Sequence, residues 1–330
     1  MKLMGKKINS NANPGKKRIL SPFLFIRLIG IALFIFILTN INLEELWDNI
    51  RKVEIGFLFY GILFQLILLL AKGMRWHLMN KGGRSTYSII RSYGEFFESY
   101  AIGVITPGRL GELVKAGHAE GKKSTIETVF RIIIERGIDI GFFVIVAGAA
   151  FLFAYTGLIP VIPAIIILIA GSIIFILSMV LMKSDASLSF TQNLLNKLPF
   201  LKLDLKFSFR HLDNSNFLFV IILSLISNFS AFLSCYMLAL GLNFELSLLF
   251  VSGGIAIAGL INMLPITIMG LGTREATFLL LFKPMAEPLI LAFSGLVFLV
   301  AQISGGLIAL LLGQVFLIMT RHSEKRIRKK

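Results

Sequence analysis

The chain has 330 residues, of which 56% are hydrophobic and only 15% are charged. Soluble domains carry about a quarter of their residues as charged ones, so this composition excludes an ordinary soluble enzyme and predicts an all-α polytopic membrane protein. The formal net charge of +15 gathers near both ends of the chain. Beside apolar spans this charge indicates cytoplasmic termini and contact with anionic lipid, rather than nucleic-acid binding.

The first half of the chain is predicted at residues 19–182, behind a basic cytoplasmic segment at residues 1–18. Its first apolar run, from Ile19 to Thr39, is long enough to cross a hydrocarbon core of about 30 Å. The next segment, Asn42 to Glu54, separates acidic from apolar residues at helical spacing. It is predicted to be an amphipathic helix on the outer face, anchored in the interface by Trp47.

Three more crossings are predicted before the middle of the chain. Residues 56–71 form the second, and a basic inner loop that contains Lys72 and Arg75 follows it. The third crossing begins near Arg136, and the fourth runs from Ile159 to Met182 after a tight outer turn.

A break separates the second crossing from the third. A short apolar piece ends there at Thr106-Pro107-Gly108-Arg109-Leu110-Gly111-Glu112. Proline removes a backbone donor and glycine permits sharp turns, so this sequence interrupts a helix at membrane depth. Basic residues on both flanks, Lys115 among them, predict a re-entrant hairpin near residues 96–121 that enters from the cytoplasm. A tilted full crossing is the alternative.

The second half is predicted at residues 217–320, after a cytoplasmic linker of mixed charge at residues 183–216. Its first crossing spans residues 217–240, and its last spans residues 289–320. A basic cytoplasmic tail at residues 321–330 follows.

A second break repeats the pattern of the first, because Leu264-Pro265 is followed by Gly270-Leu271-Gly272-Thr273-Arg274-Glu275. It predicts a second hairpin near residues 246–282 that enters from the outer side. About six full crossings then leave both termini in the cytoplasm, whereas hydropathy alone counts about eight spans. Crossings around a hairpin in each half form an inverted repeat, which is typical of transport around a site at the membrane midplane.

Both breaks place charged residues in the membrane, where each costs about 2.5–3.5 kcal/mol on insertion scales. An arginine at a helix N-terminus suits a lipid phosphate, and the alternative is a structural ion pair between two broken helices. Arg109 and Glu112 are spaced to pair on one helical face, whereas the adjacent Arg274 and Glu275 are expected to need separate partners. The phosphate-binding candidates are Arg109, Arg274, Gly108, Gly111, Gly270 and Gly272.

A third group of charges lies at the start of the third crossing. Glu135 and Asp139 are four residues apart on one helical face, and Arg136 reaches Asp139 at three. The group is either an interfacial ladder of salt bridges or the polar wall of a substrate path. The residues expected to position the arginines or to line the path are Glu112, Glu275, Glu135, Arg136 and Asp139.

These motifs, in this order, resemble the lysylphosphatidylglycerol synthase transmembrane-region family, whose members are flippase-like integral membrane proteins. The likeness rests on the two breaks, on Glu135-Arg136-Gly137-Ile138-Asp139 and on Arg75-Trp76. It implies a domain that moves a phospholipid or a polyprenyl-phosphate-linked lipid between the leaflets of the cell membrane. The chain ends in a basic tail soon after its last crossing, so the soluble synthase domain and its aminoacyl transfer are not expected.

We therefore expect a lipid translocase that is not an enzyme. One cysteine and four scattered histidines offer no metal site, and no nucleotide or nucleophile motif calls for a cofactor. The expected partner is an anionic phospholipid or a lipid-linked phosphate, and an oligomer or a separate lipid-modifying enzyme is compatible with the sequence. The alternatives are a membrane-embedded glycosyl or acyl transferase and an accessory subunit of such an enzyme.

Overall fold

A computed structural model describes residues 39, 43–81, 88–119, 122–183, 214–265, 267, 269–283 and 285–327. Within these ranges the chain forms helices joined by short turns, which confirms an all-α protein. The basic N-terminal segment, almost all of the predicted first crossing and most of the predicted linker lie outside the described residues.

The helices follow the predicted crossings and breaks. They are α1 Leu43–Arg51, α2 Ile55–Lys81, α3 Ile89–Ile105, α4 Val114–Gly117, α5 Lys122–Phe153, α6 Val161–Lys183, α7 Asn214–Gly241, α8 Leu248–Met263, α9 Thr273–Leu281, α10 Glu287–Val297 and α11 Gly305–Ile327. A 3₁₀ segment, Pro107–Leu113, precedes α4, and a π-helical segment, Phe298–Ser304, joins α10 to α11.

Five stretches are long and apolar enough to cross a membrane, and they match five of the predicted crossings. These are Ile55–Asn80, Thr125–Phe153, Val161–Lys183, Asn214–Gly241 and Glu287–Thr320. Helices α3 and α8 have only 17 and 16 residues, as the two broken segments require. The protein is therefore an all-α polytopic membrane protein, whereas the placement of the two hairpins in the bilayer and the inverted repeat stay predictions.

Three cations lie in the helical bundle rather than in basic loops. Helix α2 continues to Lys81, so that Lys72 and Arg75 belong to it, and Arg75 is fully buried. Lys115 on α4 is also buried, at 1% exposure. Assigning Lys72 and Arg75 to a basic inner loop was wrong, because carboxylates on α5 compensate these charges, and that of Lys115, inside the protein.

Close helix contacts join the two halves. Helix α2 packs against α7, α3 against α11 and α5 against α8, and within the first half α5 also packs against α6. At the contact of α5 with α6, a Cβ on Gly141 would lie 2.6 Å from the backbone nitrogen of Phe175. Glycine at this position lets the two backbones approach closely, as is common between membrane helices. The contacts of α2 with α7, α3 with α11 and α5 with α8 hold helices from both halves together.

The predicted amphipathic helix forms as α1, between Leu43 and Arg51. Trp47 is 52% exposed on it, and the Arg51 guanidinium lies 5.1 Å from the centre of the Trp47 ring. The helix packs against α10, near the start of the last crossing. An exposed tryptophan beside an arginine suits a helix that lies in the membrane interface.

Candidate functional site

The first break is a tight reversal of the chain. Thr106 is extended, and Gly108 and Arg109 then adopt left-handed backbone, with φ of 59° and 54°. The Gly111 amide donates to the Thr106 hydroxyl at 2.7 Å, and Gly111 lies against the backbone of Ile102. The chain therefore returns along the end of α3, which is the interruption that the Pro-Gly sequence predicts.

The second break is built in the same way. Met269 and Gly270 are left-handed, with φ of 56° and 73°, so two consecutive left-handed residues turn each break. Gly270 then lies against the side chain of Asn262 near the end of α8. The Glu275 carboxylate accepts a hydrogen bond from the Gly272 amide at 2.7 Å and caps the N-terminus of α9.

The two breaks touch each other. A Cβ on Gly108 would lie 2.9 Å from the carbonyl oxygen of Met263 and 3.5 Å from the Cβ of Pro265. Because Gly108 is also left-handed, glycine meets both the conformational and the spatial demand at this contact. This contact places the arginines of the two breaks, Arg109 and Arg274, beside the same cavity.

A cavity of about 150 Å³ lies beside this contact. Arg109 and Arg274 both line it, together with Lys72, Arg136 and Asp139. Four cations and one carboxylate are the charged groups among the described lining residues, so the space carries a positive potential. Its volume is below the ~300 Å³ at which drug-sized sites begin, so it suits a compact polar group.

Arg109 stacks on an aromatic ring, and among the described residues it forms no ion pair with an acid. Its guanidinium carbon lies 5.4 Å from the centre of the Tyr100 ring. The predicted pair with Glu112 does not form, since Glu112 makes an ion pair with Arg136. The physical reason is the left-handed backbone of Gly108 and Arg109, which takes Arg109 off the helical face that Glu112 shares.

Arg274 pairs with its neighbour Glu275, so the expectation of separate partners was wrong. Ser294 on α10 draws the two side chains together, because it accepts from Arg274 Nε at 2.8 Å and donates to Glu275 Oε1 at 2.7 Å. Arg274 is 2% exposed. Its Nη1 is buried and has no hydrogen-bond partner within the described part of the chain.

A buried ion network links α2, α4 and α5. The Arg75 guanidinium donates to Asp139 at 2.9 Å and to Glu135 at 3.2 Å, since these two carboxylates lie one turn apart on α5. Lys72 Nζ lies 2.6 Å from Asp139, and Lys115 Nζ lies 2.8 Å from Glu135. Three cations share two carboxylates, so the network keeps a positive charge.

The predicted ion pair along α5, between Arg136 and Asp139, does not form among the described residues. Asp139 faces α2, whereas Arg136 faces the 3₁₀ segment and Glu112, because side chains on adjacent faces of α5 meet different neighbours. Four of the predicted site residues line the cavity: Arg109, Arg274, Arg136 and Asp139. The other predicted site residues are not among the residues that line it: Glu112, Glu275, Glu135, Gly108, Gly111, Gly270 and Gly272.

Several residues that line the cavity were not predicted as site residues from the sequence. Gln65, Lys72, Tyr100 and Gln302 all line the space. Gln65 Nε2 donates to the Tyr100 hydroxyl at 3.1 Å and to the Ala301 carbonyl at 3.2 Å. A signal was available, because Gln65 stands alone in an apolar run and Lys72 follows seven residues later on the same helical face.

Residues 23–318 match the family described as the lysylphosphatidylglycerol synthase TM region. No curated protein matches the chain. The family match covers most of the sequence and includes both breaks, the ion network and the cavity. The chain therefore belongs to the lysylphosphatidylglycerol synthase transmembrane-region family, and it is a multi-pass integral membrane protein of lipid metabolism or transport.

Proposed function

We propose that the protein is a lipid translocase, which carries a phosphate-bearing lipid headgroup through the cavity between the two breaks. The observation that supports this most is the arrival of both break arginines at one positive cavity. Arg274 also has a buried N–H without a hydrogen-bond partner among the described residues, although an unsatisfied group of this kind costs about 1–3 kcal/mol or more. A phosphate oxygen is the acceptor that removes this cost most effectively.

The cavity dimensions favour transport of the headgroup alone. A space of about 150 Å³ admits a phosphate and a small substituent, while the acyl chains stay in the bilayer. Anionic phospholipid and lipid-linked phosphate both fit the excess of cations. Movement of a lipid between leaflets needs no covalent step, so in this proposal the protein is not an enzyme. It acts in the cell membrane, and both of its termini lie in the cytoplasm.

Removal of either break arginine is expected to slow lipid movement about tenfold or more, because a hydrogen bond to a charged group contributes about 1.5–3 kcal/mol. The protein is reconstituted in vesicles with a fluorescent anionic phospholipid, and dithionite quenching reports exchange between the leaflets. Wild type is compared with Arg109→Ala and Arg274→Ala. Arg51→Ala is the matched control, since Arg51 lies on α1 and is exposed. Equal rates in all samples, protein-free vesicles included, would exclude a translocase.

Cysteines introduced at Gly117 and Lys283 are expected to react from opposite sides of the membrane. Both positions are exposed, and a Cβ at Gly117 would meet no atom within 4 Å. Gly117 lies near the end of the first predicted hairpin and Lys283 directly follows the second, and hairpins that enter from opposite faces return to opposite faces. Labelling of right-side-out vesicles with an impermeant maleimide measures this. The native Cys235 is buried and serves as the unlabelled background. Labelling of both positions from one side would contradict the inverted repeat.

A further inference from the structure

One buried side chain joins the segments that face the two break arginines. Gln65 lies on α2 and is 2% exposed, so its amide is inside the bundle. The amide nitrogen carries two N–H groups, and it has two acceptors. Nε2 donates to the Tyr100 hydroxyl on α3 at 3.1 Å and to the Ala301 carbonyl of the π-helical segment at 3.2 Å. Gln65 therefore links α2 to α3 and to the last crossing.

Each end of this link leads to an aromatic ring that faces one of the arginines. The Tyr100 ring faces Arg109, whose guanidinium carbon lies 5.4 Å from the ring centre. Phe298 stands three residues before Ala301 in the π-helical segment, and its ring centre lies 5.2 Å from the guanidinium carbon of Arg274. The strength of a cation–π contact depends on where the ring lies relative to the charge. A movement of either segment therefore changes the surroundings of one arginine.

The π-helical segment is an irregular part of the last crossing. The Gly305 amide donates to the carbonyl of Gln302 and to that of Val300, and the step of five residues to Val300 is typical of a π-helix. In membrane helices, side chains of neighbouring helices satisfy the backbone groups that irregular turns set free. The hydrogen bond from Gln65 to Ala301 is a contact of this kind. It therefore stabilises the π-helical register of the segment.

Gly305 leaves room for the Gln65 amide. A Cβ at this position would lie 2.5 Å from Gln65 Nε2, which is closer than van der Waals contact allows. Glycine inside a helix costs about 1 kcal/mol relative to alanine, and contact with the amide explains its presence here. The next residue, Gly306, differs in this respect, because the nearest atom to its Cβ would be 3.6 Å away on Val104.

We propose that Gln65 is a positioning residue that couples the two breaks, so that Arg109 and Arg274 move as one unit. The inference rests on the proposed function, in which both arginines act at one cavity. Gln65 holds Tyr100 through one N–H and the π-helical segment through the other. Networks of hydrogen bonds between packed helices can carry energetic coupling between two sites. A shift at one break is thus passed to the other through a single amide.

Two variants remove this link and leave both arginines in place. Gln65→Met has a side chain of similar length without an N–H group. Gly305→Ala pushes the amide away from its partners, and the clash falls on the end of a flexible side chain, so the helix itself is kept. Because the amide is retained in Gly305→Ala, an effect that both variants share arises from the lost hydrogen bonds. Gly306→Ala is the matched control.

The distance between two spin labels reports the coupling directly. The labels replace Leu110 in the first break and Leu280 on α9, which are 60% and 57% exposed, and serine replaces the buried Cys235. Pulsed electron paramagnetic resonance on the full chain in nanodiscs measures the distribution of label distances. We expect a narrow distribution without further substitution and in Gly306→Ala, and a broad one in both link variants. A merely structural role of Gln65 would lower the unfolding temperature and leave the distribution narrow.

Lipid movement is followed on the same variants by dithionite quenching in vesicles. It is expected to slow about tenfold in both link variants, because two buried hydrogen bonds are lost, and to stay normal in Gly306→Ala. A narrow distribution in either link variant would overturn the proposal, and so would normal lipid movement in variants with a broad one. If wild type moves no lipid, the translocase proposal fails, whereas a broad distribution in the link variants still supports coupling of the breaks by Gln65.

Discussion

Asp139→Asn is expected to lower the free energy of unfolding by about 3–5 kcal/mol, the typical cost of removing one partner from a buried ion pair. Asp139 is 4% exposed and contacts both Lys72 and Arg75. Without its charge, Arg75 keeps Glu135 as a partner, but Glu135 must already compensate Lys115. Three cations, of which Arg75 and Lys115 are fully buried, would then share a single carboxylate.

Unfolding in mixed micelles, followed by tryptophan fluorescence, measures this loss. Trp76 is a suitable reporter because it is fully buried and its ring lies 4.4 Å from Lys115 Nζ. The matched control is Glu98→Gln, which breaks the half-exposed pair of Glu98 with His118. Exposed pairs contribute up to about 1 kcal/mol. If the free energy of unfolding falls equally little in both variants, water screens the ion network and its charges do not stabilise the bundle.

A second substitution separates charge from packing. Lys72→Met in the Asp139→Asn background removes one of the uncompensated cations and is expected to restore part of the lost stability. Two residues in direct contact show coupling energies of about 0.5–3 kcal/mol in a double-mutant cycle. Additive losses in the double variant would mean that Asp139 stabilises the bundle by packing alone.

The sequence predicted the breaks and the crossings because their signals are local. Pro107 and Gly108 disturb the backbone wherever they stand, and the left-handed conformation of Gly108 follows from its missing side chain. Length and hydropathy similarly identified all five described spans. Features that depend on a few neighbouring residues could therefore be predicted from the sequence.

The partners of the charged residues were not predictable in the same way. Arg274 pairs with Glu275 only because Ser294, from another helix, bridges them. In the sequence, Arg75 has the properties of a residue in a basic loop, and only the structure shows that Asp139 and Glu135 compensate its charge. Each pairing depends on how two helices pack, and spacing along one helix carries no information on that packing.

Gly108→Ala is expected to destabilise the protein by about 2–5 kcal/mol and to stop lipid movement. A left-handed residue other than glycine costs about 1–2 kcal/mol, and overpacking adds about 1–3 kcal/mol. The new Cβ would lie 2.9 Å from the Met263 carbonyl, so the two breaks must separate or twist. Either response moves Arg109 relative to Arg274, and the shared cavity is lost.

Gly117→Ala is the matched control, because a Cβ at Gly117 meets no atom within 4 Å. It lies on α4, nine residues after Gly108, and alanine favours a helix there. Unfolding in mixed micelles and dithionite quenching in vesicles are measured on both variants. Normal lipid movement in a folded Gly108→Ala variant would mean that the breaks need not touch. The arginines would then act separately, and the transport path would have to lie elsewhere than in the cavity that they share.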